Sequence, residues 1–474
     1  MSQSTPQEQQ EFRQARKSRD PRFDGRFFVG VKTTGIFCRN VCRVRLPKEE
    51  NVTYFNFAAQ AMQAGFRPCL RCRPDSAPGS FAWQGVTTTL ARAMQLLKNQ
   101  PHTDIQHLCE KLGISDSYLR KLFRTQLGIS PKHFQIAEQL LLAKRLLHET
   151  QLSVEQIAHC SGFNSARRLQ DNMMQHLKLS PSQVRQTKPI ANRPLRLHLY
   201  YRAPYNWPQL RDFLSIRAIA NVETVTEHSY SRQFTLKATT ANASECHGYF
   251  RATHQETQNR FEVDIELNDY QQLNRVLSNL RRILDLDTDS SVIEQQLLAA
   301  GIPQQQLVTG LRLPGVWSEL EAGVRAILGQ QVSIQAAITH LTRLVESCDY
   351  RIADKLYFPT AEHILNNPLD VLKMPNARKQ CLHRLAEHIK NGNDLAQKTE
   401  QEQLFLHTDL KQWQALKGIG PWTVAYAEMR GQSNPDIWLN TDLVIKKQLQ
   451  KQAINADLAI PWRSYLTFQL WSMA

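Results

Sequence analysis

The sequence lacks any uninterrupted apolar run close to the roughly 20 residues that a membrane-spanning helix needs, which excludes an integral membrane helix. Its N-terminal stretch, MSQSTPQEQQEFRQARKSRD, is polar and has no apolar core, so no cleavable secretory leader is expected in it. Low-complexity tracts are absent. Cysteine is scarce, with nine in 474 residues. Without a leader, these thiols point to the reducing cytoplasm, and to metal or catalytic roles rather than disulfides. The length exceeds one ordinary core, so three or four domains are expected.

Acidic residues are scarce in one part only. Residues 1–188 hold 28 lysines and arginines against 14 acids, while residues 189–474 hold 30 against 29. Nearly all of the formal charge of +15 therefore sits in the first part. A polyanionic partner is one reading of that imbalance, and generic solubilising charge is the other.

Pro-, Gly- and Ser-rich stretches at 73–80 (RPDSAPGS) and 187–194 (TKPIANRP) mark breaks. Between them the pattern is helical and basic, with two similar segments near 102–134 and 152–185. After the second break, alternating runs at 195–201, 233–237 and 260–267 read as strands, and 270–284 reads as a helix. From Pro314 onward the pattern is helical to the end.

Two short-spaced cysteine pairs, Cys38/Cys42 and Cys69/Cys72, suit a tetrahedral zinc ion: each pair supplies two ligands from one turn, and the loop between lets the pairs close from opposite sides. Cys109, Cys160, Cys246, Cys348 and Cys381 are scattered and read as plain buried thiols. An inert structural knuckle is the ordinary reading of a four-cysteine site. The segments TTGIFCRNVCRVR and AGFRPCLRCRP change that reading, because they resemble the N-terminal domain of Ada-type adaptive-response proteins across most of 20–75. The resemblance implies that Cys38 accepts a methyl group from a DNA methyl phosphotriester. It also implies that Thr34, Arg39, Arg43, Arg45, Arg67, Arg71 and Arg73 meet the DNA backbone.

Residues 103–127 read as helix, a turn at Gly113, then a second helix capped by Ser115 or Asp116. Arg120, Lys121 and Arg124 fall on the second helix, where a major-groove reader needs them. With the trailing GISPKHF and a helix over 134–148, the pattern resembles an AraC-type double helix-turn-helix, although a plain helical bundle has the same periodicity. The second copy, 154–185, departs from that family. Leu169 and Met173 stand where aromatics are usual, and base reading by Arg167 and Arg168 is correspondingly open.

The segment LKGIGPWTVAYAEMRGQSNPDIWLNTDLVIKK at 416–447 places a Gly418-Ile419-Gly420 hairpin about twenty residues before Asp442. Together with APYNW, NVETV, GLRLPGVW, GVRAILGQQVS and PWRSY, it resembles the AlkA-type 3-methyladenine glycosylases of the helix-hairpin-helix superfamily, from about Leu195 onward. The resemblance implies that Asp442 is the catalytic carboxylate, the plain alternative being a helix cap. It implies that Trp422, Tyr426 and Trp462 form the pocket for an electron-poor flipped base. It places Gln331 where the family inserts a leucine wedge, and the hairpin glycines against a phosphate with a monovalent cation as a second ligand. Trp422 occupies the position of the strand-cleaving lysine and Lys417 is misplaced for that role, so a monofunctional enzyme is expected. No C-terminal cysteine quartet is present, so no iron–sulfur cluster is expected in this half. The Pro-Cys-His-Arg motif of guanine-O6 acceptors is absent, so no O6-methylguanine repair is expected.

The expected fold is a multidomain α+β chain. A zinc-bound α/β domain spans 1–78, an all-α AraC-type domain 82–188, an α+β AlkA-like N-terminal domain 193–305, and an all-α helix-hairpin-helix domain 306–474. The expected cofactor is one Zn²⁺. The expected partner is double-stranded DNA, with RNA polymerase as a further candidate, no membrane, and a monomeric state. The resulting expectation is an alkylation repair and response protein. The alternatives are a pure methylation-sensing regulator with an inactive glycosylase-like half, and a glycosylase whose first half only targets it.

Overall fold

The computed structural model describes residues 6–20, 23–69, 71–72, 74, 88–99, 101, 103–112, 114–185, 195–236, 245–398 and 410–473. The break at 187–194, most of the break at 73–80, and the residues Gly113, Arg73 and Lys237 lie outside them.

The first unit runs α1 (Pro6–Ser18), β1 (Phe28–Val31), β2 (Ile36–Arg39), β3 (Val52–Phe55), α2 (Ala58–Gln63) and β4 (Arg67–Pro68). Its sheet has the order β3-β1-β2-β4, with β2 and β4 parallel. The sequence pattern located no individual strand in the α/β domain expected here, because these strands are two to four residues long and too short for a period of two to show.

The second unit is helical: α3 (Thr88–Asn99), α4 (Ile105–Leu112), α5 (Asp116–Leu127), α6 (Pro131–Glu149), α7 (Val154–Cys160), α8 (Ala166–Leu177) and α9 (Pro181–Val184). Serine explains where five of these begin. Ser115, Ser130, Ser153, Ser165 and Ser180 each accept a backbone N–H from the first turn of α5 to α9. Of the two cap candidates for α5, Ser115 is the cap. Leu169 and Met173 are fully buried in α8, so the core accepts them in place of aromatics.

The third unit holds β5 (Leu195–Tyr200), α10 (Trp207–Ser215), β6 (Glu223–Val225), β7 (Ser229–Leu236), β8 (Cys246–Gln255), β9 (Arg260–Leu267), α11 (Leu273–Ile283) and α12 (Ser290–Ala299). Its antiparallel sheet has the order β5-β9-β8-β7-β6. An apolar cluster runs from Leu140, Ile157 and Met173 of the second unit into Leu197, Phe250, Val263 and Leu280 of the third. The helix-turn-helix unit and the sheet therefore share buried surface.

The last unit holds α13 (Glu319–Leu328), α14 (Ile334–Cys348), β10 (Arg351–Ile352), β11 (Lys355–Leu356), α15 (Ala361–Leu365), α16 (Asn376–Lys398), α17 (Pro421–Gly431), α18 (Leu443–Lys451) and α19 (Arg463–Ser472). The small β10–β11 hairpin interrupts what the pattern suggested was wholly helical. Its turn residues Ala353 and Asp354 both take positive φ. A buried ion network fastens α13 to the third unit's sheet. Arg232 Nη2 meets Glu321 Oε2 at 2.8 Å, and Arg325 Nη2 meets Glu223 Oε2 at 2.8 Å.

Candidate active sites and nucleic-acid interface

The ends of β2 and β4 bring the cysteines together. Cys38 is the next-to-last residue of β2, paired to Val29 of β1, and the Cys69 N–H donates to the Phe37 carbonyl at 2.9 Å across the parallel pair. A tight turn follows, with the Cys42 N–H on the Arg39 carbonyl at 3.2 Å. All four sulfurs lie within 4.8 Å of one another. A tetrahedral zinc with sulfur ligands spaces them by about 3.8 Å, so the four thiols fit the ion in number, chemistry and spacing.

Hydrogen bonds among the sulfurs divide their character. Bonding to Cys42 and Cys69 pushes the Cys38 thiol up, and the same mutual bonding draws Cys69 far down and Cys42 to about 7. Backbone donors reach the other three sulfurs, of which Cys72, like Cys38, is held well above its ordinary value by bonding among the sulfurs. The Val44 and Cys72 N–H groups lower Cys42 and Cys69, and the Arg39 N–H reaches the Cys72 sulfur at 3.3 Å.

Around the tetrad, Thr34 is exposed in the β1–β2 turn, Arg43, Arg45 and Arg71 are exposed, and Arg67 is half-buried on β4. Arg39 departs from the expected role of phosphate clamp. Its side chain turns inward and is buried, with Nε on Asp24 Oδ1 at 2.7 Å, so it is not presented to DNA. The ion pair with a residue fifteen positions earlier outweighs solvation.

On α5, Arg120, Lys121 and Arg124 are exposed and line a surface cavity of about 370 Å³ with Ser117 and Thr125. Arg120 is also paired to Asp116 at 2.8 Å. Arg167 and Arg168 are exposed in the first turn of α8, level with Ser117 and Tyr118 of the first copy, and Gln170, Asp171 and Met174 stand at the positions of Arg120, Lys121 and Arg124.

In the last unit the hairpin is built as its glycines suggest. Gly418 has φ +102°, and a Cβ there would stand 3.0 Å from both Cβ and Sγ of Cys381. Gly420 caps α17 and faces open space, while Ile419 between them is buried as an anchor. Gln331 is exposed at φ +56°, on the loop before α14. Its neighbour Gln330 ties that loop to the hairpin, with Nε2 donating to the Gly418 carbonyl at 3.2 Å and to Thr423 Oγ1 at 3.0 Å.

Asp442 is the N-cap of α18. Its Oδ1 accepts the Val444 N–H at 2.9 Å and the Ile445 N–H at 3.2 Å. The indole N–H of Trp471 reaches the same oxygen at 3.3 Å. Trp422 stacks on Tyr426 with centroids 5.2 Å apart. Arg430 Nη1 donates to the Tyr426 hydroxyl at 3.1 Å. Burial alone would raise that phenol, but Arg430, Arg217 and Arg325 outweigh it and hold it below its ordinary value.

Trp462, expected beside Trp422 and Tyr426, is buried edge-on to Tyr465 at 5.9 Å, in the apolar cluster against which those two rings pack. The tryptophan at the carboxylate is Trp471. It packs on Phe468 (5.0 Å), which packs on Phe213 (5.0 Å), over which the Arg430 guanidinium lies at 4.7 Å. These contacts form a packed chain from Asp442 through Phe468, Phe213 and Arg430 to the Trp422–Tyr426 stack. The sequence held a signal for it: Phe468 and Trp471 are three apart on one helix and share a face.

Models of three families match the chain: the metal binding domain of Ada over residues 11–75, a helix-turn-helix domain over 108–187, and the AlkA N-terminal domain over 196–318. A probable bifunctional transcriptional activator/DNA repair enzyme AlkA of Mycobacterium tuberculosis is 32% identical over 490 residues, spanning 96% of this chain and 94% of that protein. The chain belongs to this family of bifunctional AlkA-type proteins. DNA-3-methyladenine glycosylase 2 of Escherichia coli is 28% identical across 58% of this chain and 95% of its own length. The bifunctional transcriptional activator/DNA repair enzyme Ada of Escherichia coli is 39% identical across 25% of this chain and 33% of its own length. The cysteine tetrad of this AlkA-type chain is accordingly a zinc site of the Ada kind.

Proposed function

We propose that this chain repairs alkylated DNA by two chemistries and regulates transcription in response to the same damage. The observation that carries the reading is the coexistence of a four-thiol metal site and a hairpin–carboxylate–aromatic site in one chain.

In the glycosylase half, the hairpin amides at Gly418–Gly420 hold a backbone phosphate, with a monovalent cation as an optional second ligand. Gln331 fills the gap that an extruded base leaves. The base stacks against Trp422 and Tyr426, and electron-poor alkylated purines are favoured on electron-rich rings. As the N-glycosidic bond breaks, its electron pair leaves with the base and positive charge grows on the sugar. The Asp442 carboxylate stabilises that charge and orients the water that completes hydrolysis. Trp422 stands in the place of a lysine nucleophile, so the product is an abasic site and the enzyme is monofunctional, of the 3-methyladenine class.

In the first half, the Cys38 sulfur attacks the methyl carbon of a methyl phosphotriester. A sulfur–carbon bond forms as the carbon–oxygen bond breaks, and the electron pair stays on the phosphate oxygen, restoring the diester anion. Zinc, when bound, keeps the attacking sulfur deprotonated at neutral pH. Thr34, Arg43, Arg45, Arg67 and Arg71 hold the flanking phosphates. Four thiolates on Zn²⁺ carry net −2, and methylation leaves −1, so repulsion of DNA weakens. That change favours promoter binding through Arg120, Lys121 and Arg124. The thioether is not reversed, so each chain accepts one methyl.

The test is transfer of labelled methyl groups from methyl phosphotriester duplex DNA to wild type and to Cys38→Ser. Label on the wild type alone is the expected result. Equal label on both variants overturns the acceptor assignment. Strand breaks formed without an added abasic endonuclease overturn the monofunctional assignment.

A further inference from the structure

The inward turn of Arg39 joins the cysteine site to the glycosylase half. Arg39 follows Cys38 directly, its backbone N–H donates to Cys72 Sγ at 3.3 Å, and its Nη1 donates to the Cys72 carbonyl at 3.3 Å. The residue therefore touches the first and last ligands of the tetrad at once. Asp24 holds the other edge of the guanidinium, both side chains being almost fully buried.

Two residues of the third unit complete this setting. The guanidinium carbon of Arg39 lies 4.8 Å over the ring of Tyr200, the last residue of β5. Arg202 Nε donates to the Asp24 carbonyl at 2.8 Å, and Arg202 is itself buried. Tyr200 is fixed from behind, where Arg260 Nη1 donates to its hydroxyl at 3.4 Å and Arg281 Nη2 to its carbonyl at 3.3 Å. The Arg39 fork is thus fixed by Cys72 and Asp24 along its edges and by a ring of the other half on its face.

We propose that Arg39 is a positioning residue of the zinc site, and that the glycosylase half, through Tyr200 and Arg202, holds it in place. This deepens the acceptor reading above, because it makes metal retention and methyl uptake depend on residues far outside the cysteine domain. Groups that orient metal ligands from outside the coordination sphere commonly alter affinity or activity by 10- to 100-fold. The planar fork, not the charge alone, satisfies Cys72 and Asp24 together, so a lysine is not equivalent.

The experiment uses the full chain loaded with zinc, and reads zinc affinity by competition with a chromogenic chelator in the absence of DNA. Tyr200→Leu is expected to weaken zinc binding by about tenfold and to slow methyl uptake, while base release stays at the wild-type rate. Tyr200→Phe keeps the ring face and restores both. Arg39→Lys provides a second arm, with weakened zinc binding and base release intact. Wild-type affinity in Tyr200→Leu and Arg39→Lys, with base release intact, overturns the proposal. A wild type that takes up no methyl overturns the acceptor reading instead, and the chelator measurement still decides this one.

Discussion

Replacing Asp442 separates the cap it forms from the catalytic task proposed for it. Its Oδ1 accepts the Val444 and Ile445 N–H groups at 2.9 and 3.2 Å, so it caps α18, and it also faces the Trp471 indole at 3.3 Å. Asparagine is as good an N-cap as aspartate, so Asp442→Asn keeps the cap. It forfeits only the charge at the helix N-terminus, about 0.3–1 kcal/mol. Asp442→Ala loses the cap as well, about 0.5–2 kcal/mol. If charge stabilisation in the transition state is the function, both variants lose base release by about 10²- to 10³-fold, because alanine and asparagine alike lack the carboxylate. If capping is the function, asparagine stays active and alanine does not. The assay is single-turnover release of 3-methyladenine from duplex DNA, with hydrogen exchange over 443–451 as the measure of helix integrity. An asparagine variant that releases base at the wild-type rate refutes the catalytic assignment.

Three further perturbations follow from the geometry. Gly418→Ala places a Cβ at φ +102° and 3.0 Å from Cys381; about 1–3 kcal/mol of strain is expected, with weaker duplex binding in a titration of the DNA. Burial would raise the Glu223 carboxyl, but Arg325 and Arg232 overcome it and hold it from an ordinary 4.5 down to about 2. A depressed acid contributes stability above its unfolded value that is lost as pH falls through the folded one. Denaturation midpoints should therefore drop between those two values, and Glu223→Gln should flatten the drop. Stripping zinc with a chelator should abolish methyl uptake and leave base release unchanged, since no cysteine of the tetrad lies in the glycosylase half.

Much of the arrangement was legible because the carrying signals are short in sequence. Cys38/Cys42 and Cys69/Cys72 are close pairs, so spacing alone foretold a tetrad. Ser115 before an amphipathic run foretold the start of α5, and the pair Gly418 and Gly420 foretold the hairpin. The misreadings arose where a long-range partner decides. Arg39 reads like its exposed neighbours Arg43 and Arg45 until Asp24 and Tyr200 are brought beside it. Trp471 was passed over in the same C-terminal stretch as Trp462, and only the packing of α19 against α18 brings its indole to Asp442. The joint between the halves, from Tyr200 and Arg202 to Asp24, leaves no local pattern at all.

The account's central claim is that one chain performs both chemistries. It is tested most directly by mixing the intact protein with duplex DNA bearing labelled methyl groups on bases and on phosphates, then separating protein-bound label from free base. Protein label that stops at one equivalent per chain, while free methylated base keeps accumulating beyond that amount, is the predicted result. Free base without protein label, or protein label without free base, would contradict it.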